Sequence, residues 1–117
     1  MNIEEFRDYC LEKKGVSEET PFGPDTLVYK VVGKVFALTG LDNAVFSANL
    51  KCDPDLAIEL REAFDYIIPG FHMNKKHWNT IYGSNCPSKQ FKEMIDNSYN
   101  LVVGSLTRKQ KETLLSF

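Results

Sequence analysis

The sequence predicts an α+β domain in which helices pack against an antiparallel sheet of about five strands, in the order α-βββ-α-ββ-α. Three observations carry the prediction. Apolar residues recur at helical spacing in separate segments near the start, after Cys52 and after Ser88. Runs of β-branched and aromatic residues, broken by short turn-forming stretches, occupy the intervals between them. No repeat, low-complexity tract or linker divides the 117 residues, so the chain reads as one domain over 1–117.

The first helix is expected from Ile3 to Lys14. Asn2 can cap it, with Glu5 at capping-box spacing, and Ile3, Phe6 and Cys10, with Leu11 beside them, form the core-facing stripe. Gly15 is a stop signal, and VSEETPFGPDT reads as a turn-rich connection. The runs LVYKV and VFALTG flank Val32-Gly33-Lys34, a hairpin signal, and AVFSANLKC supplies a third strand.

The phrase CDPDLAIELREAF marks the second helix. Asp53 suits its cap, Pro54 its first turn and Asp55 the positive end of its dipole. Leu56, Leu60 and Phe64, with Ala57 and Ala63, make its expected buried stripe. A second hairpin is expected from Ile67–Met73 and His77–Tyr82, with its tip at Met73-Asn74-Lys75-Lys76. Ser88 is the expected cap of a third helix that turns Phe91, Met94, Ile95 and Tyr99 inward and ends near Val102 or Val103. Thr107 and Gln110 form a capping box for a short last helix.

Composition excludes several classes. Hydrophobic residues make up 43% and charged ones 26%, as in an ordinary globular domain. No apolar run approaches the roughly 20 residues needed to span a bilayer, so no membrane partner is expected. The acidic, amphipathic start is unlike a secretory signal. Cys10, Cys52 and Cys86 are odd in number and widely spaced, which reads as reduced thiols in a cytoplasmic protein. The net charge of −2 is uneven: residues 1–69 sum to −6 and residues 70–117 to +4. A basic face on a mildly acidic molecule is therefore permitted.

Chemistry-bearing side chains concentrate in GFHMNKKHWNTIYG, from Gly70 to Gly83, which holds both histidines and the only tryptophan. His72 and His77 would point about 140° apart on a helix and to opposite faces on a strand; a bend at Asn74-Lys75 could bring them together, but no cysteine or carboxylate stands nearby in sequence, so no metal site is expected. No nucleophile elbow or phosphate loop is present, and an enzyme ranks last among the readings. Cys86 precedes a helix start, a place that lowers a thiol pKa, and Cys86 or Ser84 with His77 is the one nucleophile–base pairing on offer. Recognition uses more of the residues. Lys75 and Lys76 can neutralise phosphates, Asn74, His77 and Asn79 can bond phosphates or base edges, and Trp78 and Tyr82 share strand parity for stacking.

The phrases PFGPDTLVYKVVGKVFAL, NLKCDPDLAIELRE, PGFHMNKKHWNTI and IDNSYNLVVGSL, in that order along nearly the whole chain, resemble the MmcQ/YjbR family of small bacterial proteins. The resemblance implies a CyaY-like fold with helices on an antiparallel sheet. It also implies DNA binding through a "double wing" arrangement of sheet and hairpins. It brings no catalytic residues and no cofactor. Nor does it bring iron binding, because Glu4, Glu5, Asp8 and Glu12 form an ordinary solvated face. The candidate binding residues are thus His72, Asn74, Lys75, Lys76, His77, Trp78 and Asn79. Their expected partner is duplex DNA, held weakly and salt-sensitively given a pI of about 5.7. The alternative is a small anionic ligand or a protein partner, with His72, Asn74, His77 and Asn79 lining a polar cleft.

Overall fold

The computed structural model describes residues 1–117. Helix α1 (Ile3–Leu11) leads into strands β1 (Val16–Glu19), β2 (Thr26–Val31), β3 (Lys34–Gly40) and β4 (Ser47–Lys51). Helix α2 (Pro54–Ala63), strands β5 (Ile67–Pro69) and β6 (Trp78–Tyr82), and helices α3 (Ser88–Gly104) and α4 (Arg108–Leu115) complete the chain. The six strands form one antiparallel sheet in the order β1-β2-β3-β4-β6-β5. The expected α+β architecture is present, with one strand more than the pattern suggested.

That extra strand is β1. Its sequence, Val-Ser-Glu-Glu, has little intrinsic strand preference. Tertiary partners hold it instead: Glu18 accepts from Arg7 Nε and Nη2, both at 2.9 Å, and from the Tyr29 hydroxyl at 2.7 Å. Glu19 pairs with Lys30 at 3.1 Å. The result is a short, charged edge strand, which also discourages edge-to-edge association.

Helix starts follow their capping chemistry. Asn2 accepts from Glu5 N–H, Asp53 accepts from Asp55 and Leu56 N–H, and Thr107 and Gln110 complete a reciprocal box. Ser88 is not a cap: Pro87 occupies that position and offers no side-chain bond. α1 stops at Leu11, short of Lys14, and Gly15 at φ 72° reverses the chain. Leu11 points to solvent rather than to the core.

Strand alternation gives the sheet two unlike faces. Leu27, Tyr29 and Val31 of β2, Ala48 and Leu50 of β4, Ile67 of β5 and Ile81 of β6 enter the core with Phe6 and Cys10 of α1 and Phe91, Ile95 and Val102 of α3. Phe6 is its centre, with Tyr29, Phe46 and Phe91 rings at 5.6, 5.4 and 6.1 Å. Leu60 of α2 and Leu114 of α4 pack on the same cluster, so all four helices lie on this side. The opposite face carries the cross-strand row Val28–Leu38–Asn49–Thr80–Ile68.

One irregularity is built into this arrangement. Tyr29 pairs with Ala37 and Lys30 with Val35, leaving Phe36 as the extra residue of a β-bulge. Ser98, fully buried on α3, donates to the Phe36 carbonyl at 2.5 Å and accepts from Lys51 N–H at 2.9 Å. One hydroxyl thus ties α3 to β3 and β4.

Two outcomes are expected. Ser98→Ala strands a buried carbonyl and a buried N–H and should cost about 1–3 kcal/mol, read as a lower urea midpoint. The Arg7 guanidinium holds the Glu18 carboxyl below its ordinary pKa of 4.5. A depressed folded-state pKa contributes stability above the unfolded value that is lost as pH falls through the folded one. Stability should therefore decline as pH drops below 4.5, and Glu18→Gln should make that decline shallower.

Candidate functional site

The loops that carry Phe22 and residues 41–46 at one end of the strands, and the 70–73 segment from the opposite end, rise over the helix-free face and border a cleft of about 790 Å³. Its floor is Leu38, Thr39, Asn49 and Thr80, and its walls are Phe22, the 41–46 loop and Phe71-His72-Met73. No helix residue lines it. The rim is aromatic and exposed: Phe22 is 72% accessible, Phe71 63% and Tyr82 37%. Beneath it, Thr80 Oγ1 donates to Asn49 Oδ1 and accepts from Phe71 N–H at 2.9 Å, while Asn49 Nδ2 donates to the Phe71 carbonyl at 3.3 Å. This triangle fixes the Phe71 wall to the floor.

The GFHMNKKHWNTIYG segment is shaped differently from the expected hairpin. β5 ends at Pro69, and 70–77 is a folded-back loop rather than two extended arms. Pro69 has no N–H with which to prolong the ladder. His72, at φ 59°, adopts the left-handed region. Met73 N–H donates to Gly70 O at 3.2 Å, and Trp78 N–H donates to Asn74 O at 3.0 Å. Gly70 is required by closeness: a Cβ there would sit 2.8 Å from Trp78 Cβ and 2.9 Å from Trp78 O.

Arg61 of α2 holds this loop in place. Its Nε donates to Asn79 Oδ1 at 2.6 Å, and its Nη2 donates to the carbonyls of Lys75 and Trp78. Asn79 Nδ2 in turn reaches the Ala57 carbonyl at 3.4 Å. A planar fork with several donors can satisfy three acceptors at once, which an ammonium on a flexible stem does poorly.

The seven sequence-selected residues therefore divide. Only His72 lines the open-face cleft, with its ring 4.0 Å from that of Phe71. Asn79 is 2% accessible and faces the helices, where it bonds Arg61 and α2. Asn74 accepts from Lys76 N–H, an internal turn contact. Lys75 Nζ caps the Gly70 carbonyl at 2.9 Å, whereas the Lys76 side chain extends into solvent. His77 is half-buried and its carbonyl accepts from Cys52 N–H at 2.8 Å. Trp78 shares the open face with Thr80 and Tyr82, as their parity implies, and is half-buried beside Lys51. The proposed gathering of His72, Asn74, His77 and Asn79 in one cleft does not occur.

All three thiols are free and buried, as reduced core-filling cysteines should be, but Cys86 hydrogen-bonds toward Pro87 O and Gln90 Oε1 rather than to His77. Burial raises the Cys86 pKa instead of lowering it, and pushes Cys52 up to about 11. Each is held protonated near neutrality, as a packing group rather than a nucleophile.

Sequence reasoning missed Asn49, Thr80, Phe22 and Phe71 of the cleft. The period-2 spacing of Ser47-Asn49-Lys51 and Trp78-Thr80-Tyr82 was the available signal for two of its strands.

The YjbR family model matches residues 11–101. The chain belongs to the YjbR family. Protein YbdF of Escherichia coli O157:H7 is 38% identical over 93 residues, covering 79% of this chain and 76% of that protein. Protein YjbR of E. coli strain K12 is 29% identical over 116 residues, covering 98% of both. Among solved structures, protein DR2400 of Deinococcus radiodurans superposes with a TM-score of 0.89 at 33% identity, covering 97% of this chain and 87% of that one. A Pseudomonas syringae protein does so at 0.75 and 29% identity, covering 86% and 98%. These two structures share the α+β fold of this chain, and no helix of this chain is long and apolar enough to cross a membrane.

Arg61→Lys removes the fork while keeping the charge. Hydrogen bonds from a charged group are worth about 1.5 kcal/mol or more each, so amide exchange at His77 and Trp78 should speed up about tenfold or more. Exchange in α3 should change far less, and hydrogen–deuterium exchange by NMR reads both.

Proposed function

We propose that this YjbR-family protein is a non-enzymatic binding module that takes its ligand on the open face of the sheet, between the 41–46 and 70–77 loops. The observation that carries the reading is the cleft itself: a polar Asn49–Thr80 floor under an exposed rim of Phe22, Phe71 and Tyr82. Apolar groups gathered around hydrogen-bonding ones suit recognition of a small ligand or protein segment with a planar or apolar part. The left-handed conformation of His72 on the wall supports the same reading, since backbone strain tends to be kept where function needs it. His72 is the one cationic candidate in the lining and Asp42 the one carboxylate. That balance favours a ligand with at most one anionic group over a polyanion.

Duplex DNA is the second reading, favoured by the outward Lys76 beside His77 and Trp78 at the margin of the same face. Lys75 adds less to it because its ammonium already serves the Gly70 carbonyl. A contact this sparse in cations would be weak and would loosen with salt.

Fluorescence anisotropy with labelled duplex DNA at about 50 and about 200 mM salt separates the two readings. The cleft reading expects no saturable binding that depends on Lys76. Salt-sensitive binding lost in a folded Lys75→Ala/Lys76→Ala variant would move the function to DNA. A thermal-shift fragment screen then tests the cleft directly. Hits should stabilise the wild type and fail to stabilise His72→Gly and Phe71→Ser. Glycine adopts the left-handed region freely, so His72→Gly should retain or slightly raise the ligand-free melting temperature. Hits that stabilise all three proteins equally would contradict a site on this wall.

A further inference from the structure

We propose that a second cleft, between α2 and α3 on the helix-covered side, is a binding site for a small neutral molecule: about one aromatic ring bearing a hydrogen-bonding group. The first observation is a hydrophobic stripe on α2 that the fold covers only in part. Leu56 and Leu60 have the spacing of core residues, yet Leu56 is 36% accessible and only Ala57 of α2 is fully enclosed. The physical reason is the way α2 is held. Asp53 caps its start, Asn79 bonds its Ala57 carbonyl and Arg61 reaches over β6 to the 70–77 loop. These ties fasten α2 to β6 and the 70–77 loop, and on its α3 side a gap is left.

That gap is a cleft of about 220 Å³. Leu50 and Ile81 form its floor, Leu56 and Leu60 one wall and Met94 the other. A cavity of about 150 Å³ has room for benzene, so this half-open cleft has room for a substituted ring. The Met94 thioether is a favourable neighbour for such a ring. Asn79 lines the cleft with its side chain already bonded on both sides, and so does not call for water there.

The second observation is the polar edge on α3. Gln90, Glu93 and Asn97 recur on one helix face along the mouth. Gln90 Oε1 accepts the Tyr66 hydroxyl at 2.5 Å, whereas the Asn97 amide has no partner among the hydrogen bonds of the fold. It is the group positioned to donate to or accept from a ligand. Glu93 borders the cleft and its carboxylate selects against an anionic head group, whereas the Lys51 side chain leaves β4 on the opposite face of the sheet.

The test is a 15N amide NMR titration of the full chain with 4-methylphenol, and in parallel with toluene. Millimolar affinity is the expected scale for a probe this small. Saturable shifts should appear at Leu50, Leu56, Leu60, Ile81 and Met94. They should vanish in Leu56→Trp, whose side chain plugs the cleft from a partly exposed position. Met94→Phe fills it from the opposite wall should the first variant lose its dispersed spectrum. Asn97→Leu should weaken 4-methylphenol about fivefold or more, as expected for one lost hydrogen bond, and leave toluene unchanged. Absence of saturable shifts, or shifts that persist in the folded plugged variants, would overturn the site. An equal response of both probes to Asn97→Leu would overturn the assigned head-group contact.

Discussion

Packing of every helix on one face of the sheet is the constraint on which the rest of this structure depends. The Phe6-centred aromatic cluster and the Ser98 bridge to the β3 bulge consume that face. Nothing equivalent covers the other. Antiparallel sheets tolerate this, because strand alternation puts polar side chains outward. Here the outward row is mixed, with Leu38 beside Asn49 and Thr80, and the loops above it present aromatic rings. This half-polar floor under an aromatic rim is the feature on which the proposed binding role rests.

Helix α2 borders both features: its Arg61 side chain restrains the loop that walls the open face, and its Leu56 and Leu60 side chains line the second cleft. Arg61 also explains why the lysine-bearing loop is compact: Lys75 and Trp78 surrender their carbonyls to Arg61, and Lys75 returns its ammonium to Gly70.

Most of the architecture was legible because it rests on local chemistry. The caps at Asn2, Asp53 and Thr107 and the alternation in LVYKV and VFALTG need no tertiary information. β1 was not legible, since Ser17-Glu18-Glu19 becomes a strand only when Arg7, Tyr29 and Lys30 supply partners. The buried stripe of α2 was over-read for a related reason: periodicity gives the direction in which a side chain points, and only packing decides whether anything meets it. The site fared similarly. Of the seven residues selected by type, His72 alone lines the open-face cleft. The roles of Asn79 and Lys75 follow from Arg61, which lies far from them in sequence and carries no local signal.

The central claim is that recognition takes place on the helix-free face, and chemical-shift mapping tests it most directly. With amides assigned, the protein is titrated first with a short DNA duplex at low salt and then with the fragments that raise its melting temperature. The account expects the largest shifts at Leu38, Asn49, Thr80 and Tyr82 and in the 41–46 and 70–73 segments. Shifts concentrated instead on α4 and the outer surface of α3, with this face silent, would contradict it.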